Sequence, residues 1–179
     1  MKLAILDRDG VINEDSPDFI KSADEWIPLP GSLQAIARLS RAGWKVVVAT
    51  NQSGLGRGLF SPDELTAIHQ KMQQQLALLG GHIDAIFMCP HLPDAGCTCR
   101  KPLPGMFLDI LDRYDVPAHE VVTVGDSLRD IQAAHAAGCQ TWLVETGNGK
   151  KTLSDPALPD SVQVRPTLAD VVESWLTES

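Results

Sequence analysis

The sequence predicts an α/β protein built in three layers, with helices on both faces of a mainly parallel sheet. Short apolar runs rich in β-branched residues alternate with longer stretches of helical periodicity, and polar side chains follow several of these runs directly. Since ligands of parallel sheets bind beyond the carboxyl ends of the strands, we expect a functional site there. The length favours a single domain over residues 1–179.

The first elements follow from the apolar pattern. Leu3–Leu6 is predicted as a buried strand that ends at an acidic run. A helix follows over about Ser32–Ala42, with apolar residues on one side and Gly43 directly after it. Lys45–Ala49 is the second predicted strand, and the polar segment Thr50–Gly54 is predicted as the loop after it.

The middle of the chain repeats this order. Ser61 begins a capping box with proline at the first helical position, so a helix is predicted from there to about Leu79. Ile83–Met88 is the third predicted strand, and residues 89–104 form a loop rich in Cys, Pro and Gly. A helix over Gly105–Tyr114 follows this loop.

The last third continues the alternation. Its predicted elements are a strand Glu120–Val124, a helix from Ser127 to about Ala137, a strand Gln140–Val144, a short segment Val162–Val164 and a helix Thr167–Leu176. Helices between consecutive strands are the connections that a parallel sheet requires.

The composition is that of an ordinary globular protein, with 44% hydrophobic and 21% charged residues. The net charge of −8 argues against nucleic-acid binding, which requires a basic surface. No apolar run approaches the roughly 20 residues of a membrane span, and Met1–Leu6 is too short for a signal peptide. We therefore expect a cytoplasmic protein without nucleic-acid or membrane partners. Nothing in the pattern indicates a coiled coil, and a monomer is expected.

Two carboxylates lie one residue apart directly after the first predicted strand. In the run Asp7-Arg8-Asp9-Gly10, the glycine permits a sharp turn that can direct both carboxylates to one ligand. Like charges this close repel, and a divalent cation would relieve the repulsion. One carboxylate could then attack phosphorus while the other moves a proton. The alternative interpretation is a solvated acidic turn.

Two further pairs of polar residues suit a phosphate site. Thr50 and Asn51 offer a hydroxyl and backbone N–H groups at a strand end, and Arg100 and Lys101 offer cations. The alternatives are a turn satisfied by local polar side chains and a basic pair on the surface.

Three of the four cysteines lie close together in the predicted loop. The segments Cys89-Pro90-His91 and Cys97-Thr98-Cys99 supply three thiolates and one imidazole from two short arms. Four such ligands with no open position predict a structural zinc site. The alternative is a set of unligated buried cysteines beside an unrelated histidine.

Four segments resemble, in order, the signature motifs of the haloacid dehalogenase (HAD) superfamily of aspartyl-phosphate phosphatases. They are Asp7-x-Asp9-Gly10-Val11-Ile12-Asn13, Val48-Ala49-Thr50-Asn51-Gln52-Ser53-Gly54, Arg100-Lys101-Pro102 and Val124-Gly125-Asp126-Ser127-x-x-Asp130. The resemblance spans residues 7–130 and implies a Rossmann-like α/β/α fold. Because the cysteine loop is the longest insertion, we expect no cap domain.

The resemblance also implies roles for single residues. Asp7 would be the nucleophile, and Asp9 would act as general acid and then as general base. Mg²⁺ would be held by the carboxylates of Asp7 and Asp126 and by the backbone carbonyl of Asp9. Thr50 and Lys101 would hold the phosphoryl oxygens.

The remaining residues of the site are expected to contact the substrate or to support the motifs. The predicted substrate-binding residues are Asp15, Ser16, Pro17, Asp18, Asn51, Gln52, Ser53, Arg57 and Arg100. A second phosphate would need another cation, for which Arg57 is the first candidate and Arg8 and Lys150 are alternatives. Asp130, three residues after Ser127, is expected to cap the helix or to support the metal site.

Within the superfamily, the cysteine loop resembles that of the heptose bisphosphate and histidinol-phosphate phosphatases. The resemblance implies Mg²⁺-dependent hydrolysis of the 7-phosphate of a heptose 1,7-bisphosphate, in the synthesis of ADP-heptose and the lipopolysaccharide core. Because the gap from His91 to Cys97 is short, histidinol phosphate is the alternative substrate. Two alternative functions from other classes are a phosphate-binding module with an inactive site and an interaction protein centred on zinc.

Overall fold

A computed structural model of the chain describes residues 1–178. Its strands are β1 (Leu3–Leu6), β2 (Lys45–Asn51), β3 (Ala85–Cys89), β4 (Val122–Gly125), β5 (Gln140–Val144) and β6 (Gln163–Arg165). They form one sheet in the order β3-β2-β1-β4-β5-β6, in which every neighbouring pair is parallel. The predicted parallel sheet is confirmed.

Helices cover both faces of this sheet. They are α1 (Ser32–Arg41), α2 (Ser53–Gly56), α3 (Pro62–Leu78), α4 (Gly105–Tyr114), α5 (Leu128–Ala136), α6 (Gly149–Leu153) and α7 (Leu168–Thr177), with 3₁₀ turns at Ala23–Glu25 and Ala118–Glu120. Buried side chains of α1, α3 and α7 belong to one hydrophobic cluster, and those of α4 and α5 belong to the other. The sheet therefore lies between two helical layers.

The central strand shows why its sequence is an unbroken apolar run. Ala4 and Leu6 face the first cluster, and Leu3 and Ile5 face the second. Because both faces of the strand are covered, alternate side chains must all be apolar.

The strand order reverses at β1. The chain moves outward from β1 through β2 to the edge strand β3, and it then returns to place β4 on the other side of β1. Connections leave in opposite directions at such a point, which opens a crevice beyond the carboxyl ends of the two strands. Asp7 follows β1 and Asp126 follows β4, so both lie at this crevice.

Some element bounds differ from the prediction. Thr50 and Asn51 are the last residues of β2, not part of a loop, because they pair with Met88 and Cys89 of β3. The short helices α2 and α6, of four and five residues, were not predicted because they are too short to show helical periodicity.

Within residues 1–178, no helix is both long and apolar enough to cross a bilayer. The predicted domain ends at Ser179, which lies outside the described residues.

Candidate active site

The turn after β1 brings the first acidic pair into the crevice. The Asp7 N–H donates to the carbonyl of Val124 at 3.0 Å, which ties the turn to β4. Gly10 has a φ of +85°, and a side chain there would collide with the carboxylate of Asp126. Glycine is therefore needed both for the turn and for the close approach of the two acidic motifs.

Lys101 reaches the same point from the end of the cysteine loop. Its Nζ lies 3.1 Å from Asp7 Oδ1, 2.7 Å from Asp130 Oδ1 and 2.8 Å from the carbonyl oxygen of Ala49. The side chain of Asn51 brackets the Lys101 backbone, accepting from its N–H and donating to its carbonyl, both at 3.1 Å. The last residue of β2 thus fixes the direction of the lysine.

Three carboxylates converge beside this lysine. One side-chain oxygen from each of Asp7, Asp126 and Asp130 lies within 4.8 Å of the others. Burial and the negative charge of Asp130 raise the pKa of Asp7 to about 7, against the opposing effect of Lys101. Burial and the charges of Asp7 and Asp130 raise the pKa of Asp126 to about 9. The cluster carries more negative charge than one lysine offsets.

The lysine itself is firmly charged. Burial alone would lower the pKa of Lys101, but Asp130 and Asp7 outweigh it and raise the value to about 12. Asp130 also forms the expected capping box with Ser127 at the start of α5. It therefore serves both as a helix cap and as the closest ionic partner of Lys101.

Asp9 has a different environment from Asp7. Arg8 Nε and Nη2 lie 3.0 and 2.9 Å from Asp9 Oδ1, Asn13 donates to the same oxygen at 2.9 Å, and Gln52 donates to Oδ2 at 3.1 Å. Burial would raise the pKa of Asp9, but the Arg8 charge and these hydrogen bonds lower it below its ordinary value. Gln52 also donates to Thr50 Oγ1 at 2.9 Å and so links two of the motifs.

Arg8 is fully buried and does not reach the crevice. Its Nη1 lies 3.2 Å from His69 Nε2 on α3. It is therefore placed to orient Asp9, and it cannot serve as the alternative cation for a second phosphate.

Above these groups lies a cavity of about 390 Å³, and most of the predicted substrate residues line it. Those in its wall are Asp15, Ser16, Pro17, Asn51, Gln52, Ser53, Arg57 and Arg100. Asp18 and Lys150 lie outside this wall, which does not support a contact with substrate. Asp18 is instead exposed and donates its N–H to Ser16 Oγ at 3.1 Å.

The wall also contains residues that the sequence reasoning missed. Phe19 and Ile20 follow the predicted substrate-binding residues 15–18, Arg129 is the second residue of α5, and Asn148 precedes α6. The motif around Asp126 and Asp130 includes the position of Arg129, which was the available signal for that residue. Asn148 lies in a Gly/Lys-rich loop outside every motif.

The cysteine loop gathers a second set of ligand-type atoms. The side chains of Cys89, His91, Cys97 and Cys99 have ligand atoms that all lie within 4.8 Å of one another. Cys89 Sγ is 2.9 Å from Cys99 Sγ and 3.7 Å from Cys97 Sγ, and His91 Nδ1 is 3.2 Å from Cys99 Sγ. Cys139 is buried and does not belong to this group of four side chains.

Comparison with known proteins agrees with this geometry. A family model described as HAD-hydrolase-like matches residues 98–171. The D-glycero-β-D-manno-heptose-1,7-bisphosphate 7-phosphatase of Bordetella bronchiseptica is 64% identical over 179 residues, covering 100% of both chains. This chain belongs to the D-glycero-β-D-manno-heptose-1,7-bisphosphate 7-phosphatase family. A Pseudomonas aeruginosa member of the family is 51% identical over 174 residues, covering 97% of each chain.

Solved structures place the family in the same fold. The D,D-heptose 1,7-bisphosphate phosphatase from B. bronchiseptica, complexed with magnesium and phosphate, matches with a TM-score of 0.99 over 100% of both chains. The Burkholderia thailandensis D,D-heptose 1,7-bisphosphate phosphatase matches with a TM-score of 0.80 and 46% identity over 99% of each. Membership in the heptose-bisphosphate 7-phosphatase family confirms the predicted HAD fold and phosphatase class.

Proposed function

We propose that this chain removes the 7-phosphate of D-glycero-β-D-manno-heptose 1,7-bisphosphate, with Asp7 as the covalent phosphate acceptor. The observation that carries the proposal is the convergence of Asp7, Lys101 and Asp126 beneath a cavity of about 390 Å³, which is large enough for a small sugar phosphate. The names of its full-length relatives support the same substrate. The reaction would serve ADP-heptose and lipopolysaccharide core synthesis.

The oxygen donors of the site fit Mg²⁺. Asp7 and Asp126 supply carboxylates, the Asp9 backbone supplies a carbonyl, and the raised pKa values of the two carboxyls reflect an excess of negative charge. When bound, the cation supplies the compensating charge, which lowers both pKa values and polarises the phosphoryl group.

Asp7 then acts as the nucleophile. Its carboxylate oxygen attacks phosphorus in line with the bond to the sugar oxygen, and that bond breaks as the aspartyl phosphate forms. Lys101, held at 3.1 Å from Asp7 Oδ1, supplies positive charge where the equatorial phosphoryl oxygens gain electron density. The Thr50 hydroxyl lies in the same wall and supplies a neutral contact to these oxygens.

Asp9 moves the protons in both half-reactions. The phosphate dianion of an arriving substrate raises the pKa of Asp9, so that its carboxyl can carry the proton given to the leaving sugar oxygen. In the second half, the Asp9 carboxylate takes a proton from the water that attacks phosphorus, and inorganic phosphate leaves Asp7. The Arg8 contact favours the ionised form that this second step requires.

The outer cavity favours a bisphosphate over histidinol phosphate. Arg57, Arg100 and Arg129 all lie in its wall. Three guanidinium groups suit a second phosphate, whereas the ammonium group of histidinol phosphate would meet like charges. Asp15 and Ser16, in the same wall, are positioned to accept from or donate to sugar hydroxyls.

Zn²⁺ is proposed for the cysteine loop. Three sulfur atoms and one imidazole nitrogen gathered within 4.8 Å form a donor set that suits this ion. Arg100 and Lys101 directly follow the loop, so an ion bound there would fix the orientation of both side chains. Arg100 Nη1 also donates to the carbonyl of His91 at 3.3 Å, which adds a contact inside the loop.

The proposal extends to the state of the protein. We expect one domain over residues 1–179 that acts as a cytoplasmic monomer on a small phosphorylated sugar. Light scattering on the purified chain tests the monomer, for which a mass near 19.4 kDa is expected. A mass near twice that value would contradict the monomer.

A comparison of kcat/KM for two substrates tests the function. Heptose 1,7-bisphosphate should be preferred over histidinol phosphate by at least about a hundredfold, which is the discrimination expected from one charge-assisted contact or two. Phosphate release should stop on chelation of Mg²⁺ and return when the ion is added back. A preference for histidinol phosphate would overturn the substrate assignment.

A further inference from the structure

Asp126 is held by the loop between β5 and α6 through one of its two oxygens. Its Oδ2 accepts the backbone N–H of Asn148 at 2.9 Å and the side-chain amide of the same residue at 3.3 Å. A side chain at Gly147 would collide with this oxygen. Within residues 1–178, the hydrogen bonds that reach the Asp126 carboxylate all end on Oδ2, so Oδ1 is the oxygen available to a metal.

The same amide nitrogen also reaches residues 15–19, a segment after the β1 turn that we call the flap. Asn148 Nδ2 donates to Asp15 Oδ2 at 3.1 Å. Asp15 lies in the cavity wall beside Ser16 and Pro17. One amide group thus bridges a carboxylate of the metal site and a carboxylate of the flap.

The bridge has an electrostatic reason. Asp15 and Asp126 repel each other, and two N–H donors placed between them offset part of this repulsion. A cation on Asp126 would offset more of it, so the flap would be held more firmly when the metal site is filled. Linkage requires the reverse effect, in which an ordered flap favours metal binding.

We propose that Asn148 is a positioning residue that couples the metal-site carboxylate of Asp126 to the flap through Asp15. The inference rests on the proposed function, because it assumes that Asp126 holds the catalytic cation. It adds a residue outside the four motifs and a reason for the flap to respond to Mg²⁺ before substrate arrives.

The substitution Asn148→Ala isolates this role. Asn148 is the residue before α6, but its side chain makes no capping hydrogen bond to that helix. The change removes both amide contacts and keeps the backbone N–H that holds Asp126. We expect the apparent affinity for Mg²⁺ to fall about tenfold, the loss that one charge-assisted hydrogen bond implies. Lys151→Ala, an exposed change on α6, is the matched control.

A titration of the ¹⁵N-labelled full chain with Mg²⁺ alone, followed by amide NMR, measures the coupling without turnover. In the wild type and in Lys151→Ala, the amides of Ser16 and Phe19 should shift with the same midpoint as that of Ser127 beside the metal site. In Asn148→Ala, the Mg²⁺ concentration at the midpoint of the Ser127 shift should rise about tenfold. The amides of Ser16 and Phe19 should no longer shift together with Ser127. The proposal would be overturned if, in Asn148→Ala, the flap amides still shifted together with Ser127 at the wild-type midpoint.

A double-mutant cycle on the Mg²⁺ midpoint, read from the Ser127 amide without substrate, gives the second readout. Because Asn148 and Asp15 act through one bridge, Asp15→Ala combined with Asn148→Ala should raise this midpoint no more than about twofold beyond Asn148→Ala alone. Fully additive effects would contradict the coupling. A wild-type chain that shows the NMR coupling but does not hydrolyse the bisphosphate would refute the proposed function only.

Discussion

The two clusters of ligand-type side chains are built in opposite ways. Asp7, Asp126 and Asp130 come from the end of β1, from the end of β4 and from α5, and the sheet brings them together. The second cluster, Cys89, His91, Cys97 and Cys99, comes from one short segment. Both sets place their ligand atoms within 4.8 Å, but the carboxylates depend on contacts between elements that are distant in sequence.

This difference assigns separate tasks to the two regions. The parallel strands give the carboxylates their positions, so the acidic cluster needs the whole fold. The cysteine loop gathers its ligand-type atoms within one short segment, and the proposed zinc ion would fix its shape. The two regions meet at Lys101, which belongs to the loop in sequence and to the carboxylates in space. The loop therefore delivers a buried cation that the strands of the sheet do not supply.

The first test removes the nucleophile from the carboxylate cluster. Asp7→Asn keeps the size of the side chain but cannot form an acyl phosphate, so kcat should fall at least about a thousandfold. The melting temperature should stay within about 5 °C of the wild type, because the fold does not depend on this charge. Phosphate-release assays and thermal unfolding measure the two effects. An Asp7→Asn variant whose kcat stays within about tenfold of the wild type would exclude the covalent mechanism.

The second test removes the residue that joins the two regions. Lys101→Met leaves Asp7 and Asp130 buried without their cation, which should lower the free energy of unfolding by about 3 to 5 kcal/mol. The kcat should fall about a hundredfold or more through loss of charge at the phosphoryl oxygens. Urea unfolding in Mg²⁺-free buffer measures the stability.

Lys45 offers a matched control, since its Nζ is 3.6 Å from Asp84 Oδ1 on an exposed part of the surface. Lys45→Met should cost less than about 1 kcal/mol. Equal losses in the two variants would show that the position of Lys101 is of no special importance.

The third test acts on the loop alone. Cys99→Ser should reduce zinc content from about one ion per chain, lower the melting temperature by about 5 to 10 °C and lower kcat about tenfold through a poorly directed Lys101. Metal analysis, thermal unfolding and phosphate release measure these effects. Cys139→Ala, outside the loop, should keep its zinc. Full activity and an unchanged melting temperature in zinc-free protein would rule out the structural role.

The same contrast explains what the sequence could predict. The spacing of Cys89, His91, Cys97 and Cys99 was enough to predict that these side chains lie together, because all four belong to one short segment. The strand Gln140–Val144 and the helix Gly105–Tyr114 have their predicted bounds because their apolar patterns are local and complete. Local patterns carry this information whenever neighbours in sequence are also neighbours in space.

Contacts made by tertiary structure were harder to predict. The ion pair of Lys101 with Asp130 and the contact of Arg8 with His69 join residues that are distant in sequence and lack a shared pattern. Asn148 was missed for the same reason, since the sequence around it shows only a polar loop without a motif. The extension of β2 through Asn51 depends on pairing with β3, which no pattern within β2 reveals.

The smallest predicted effect concerns His69, which contacts Arg8, the partner of Asp9. Burial and then the neighbouring Arg8 charge lower the pKa of His69 from 6.5 to about 4. As pH falls from about 6.5 toward 4, the unfolded chain takes up a proton at this imidazole before the folded chain does, so the free energy of unfolding falls.

His69→Gln keeps an acceptor for Arg8 without a titrating group. It should reduce the free energy of unfolding that is lost between pH 7 and pH 5 by about 1 to 2 kcal/mol. Urea unfolding at both pH values measures it, with His135→Gln on the exposed side of α5 as control. If both variants keep the wild-type pH dependence, burial and the Arg8 charge do not hold His69 neutral in the folded protein.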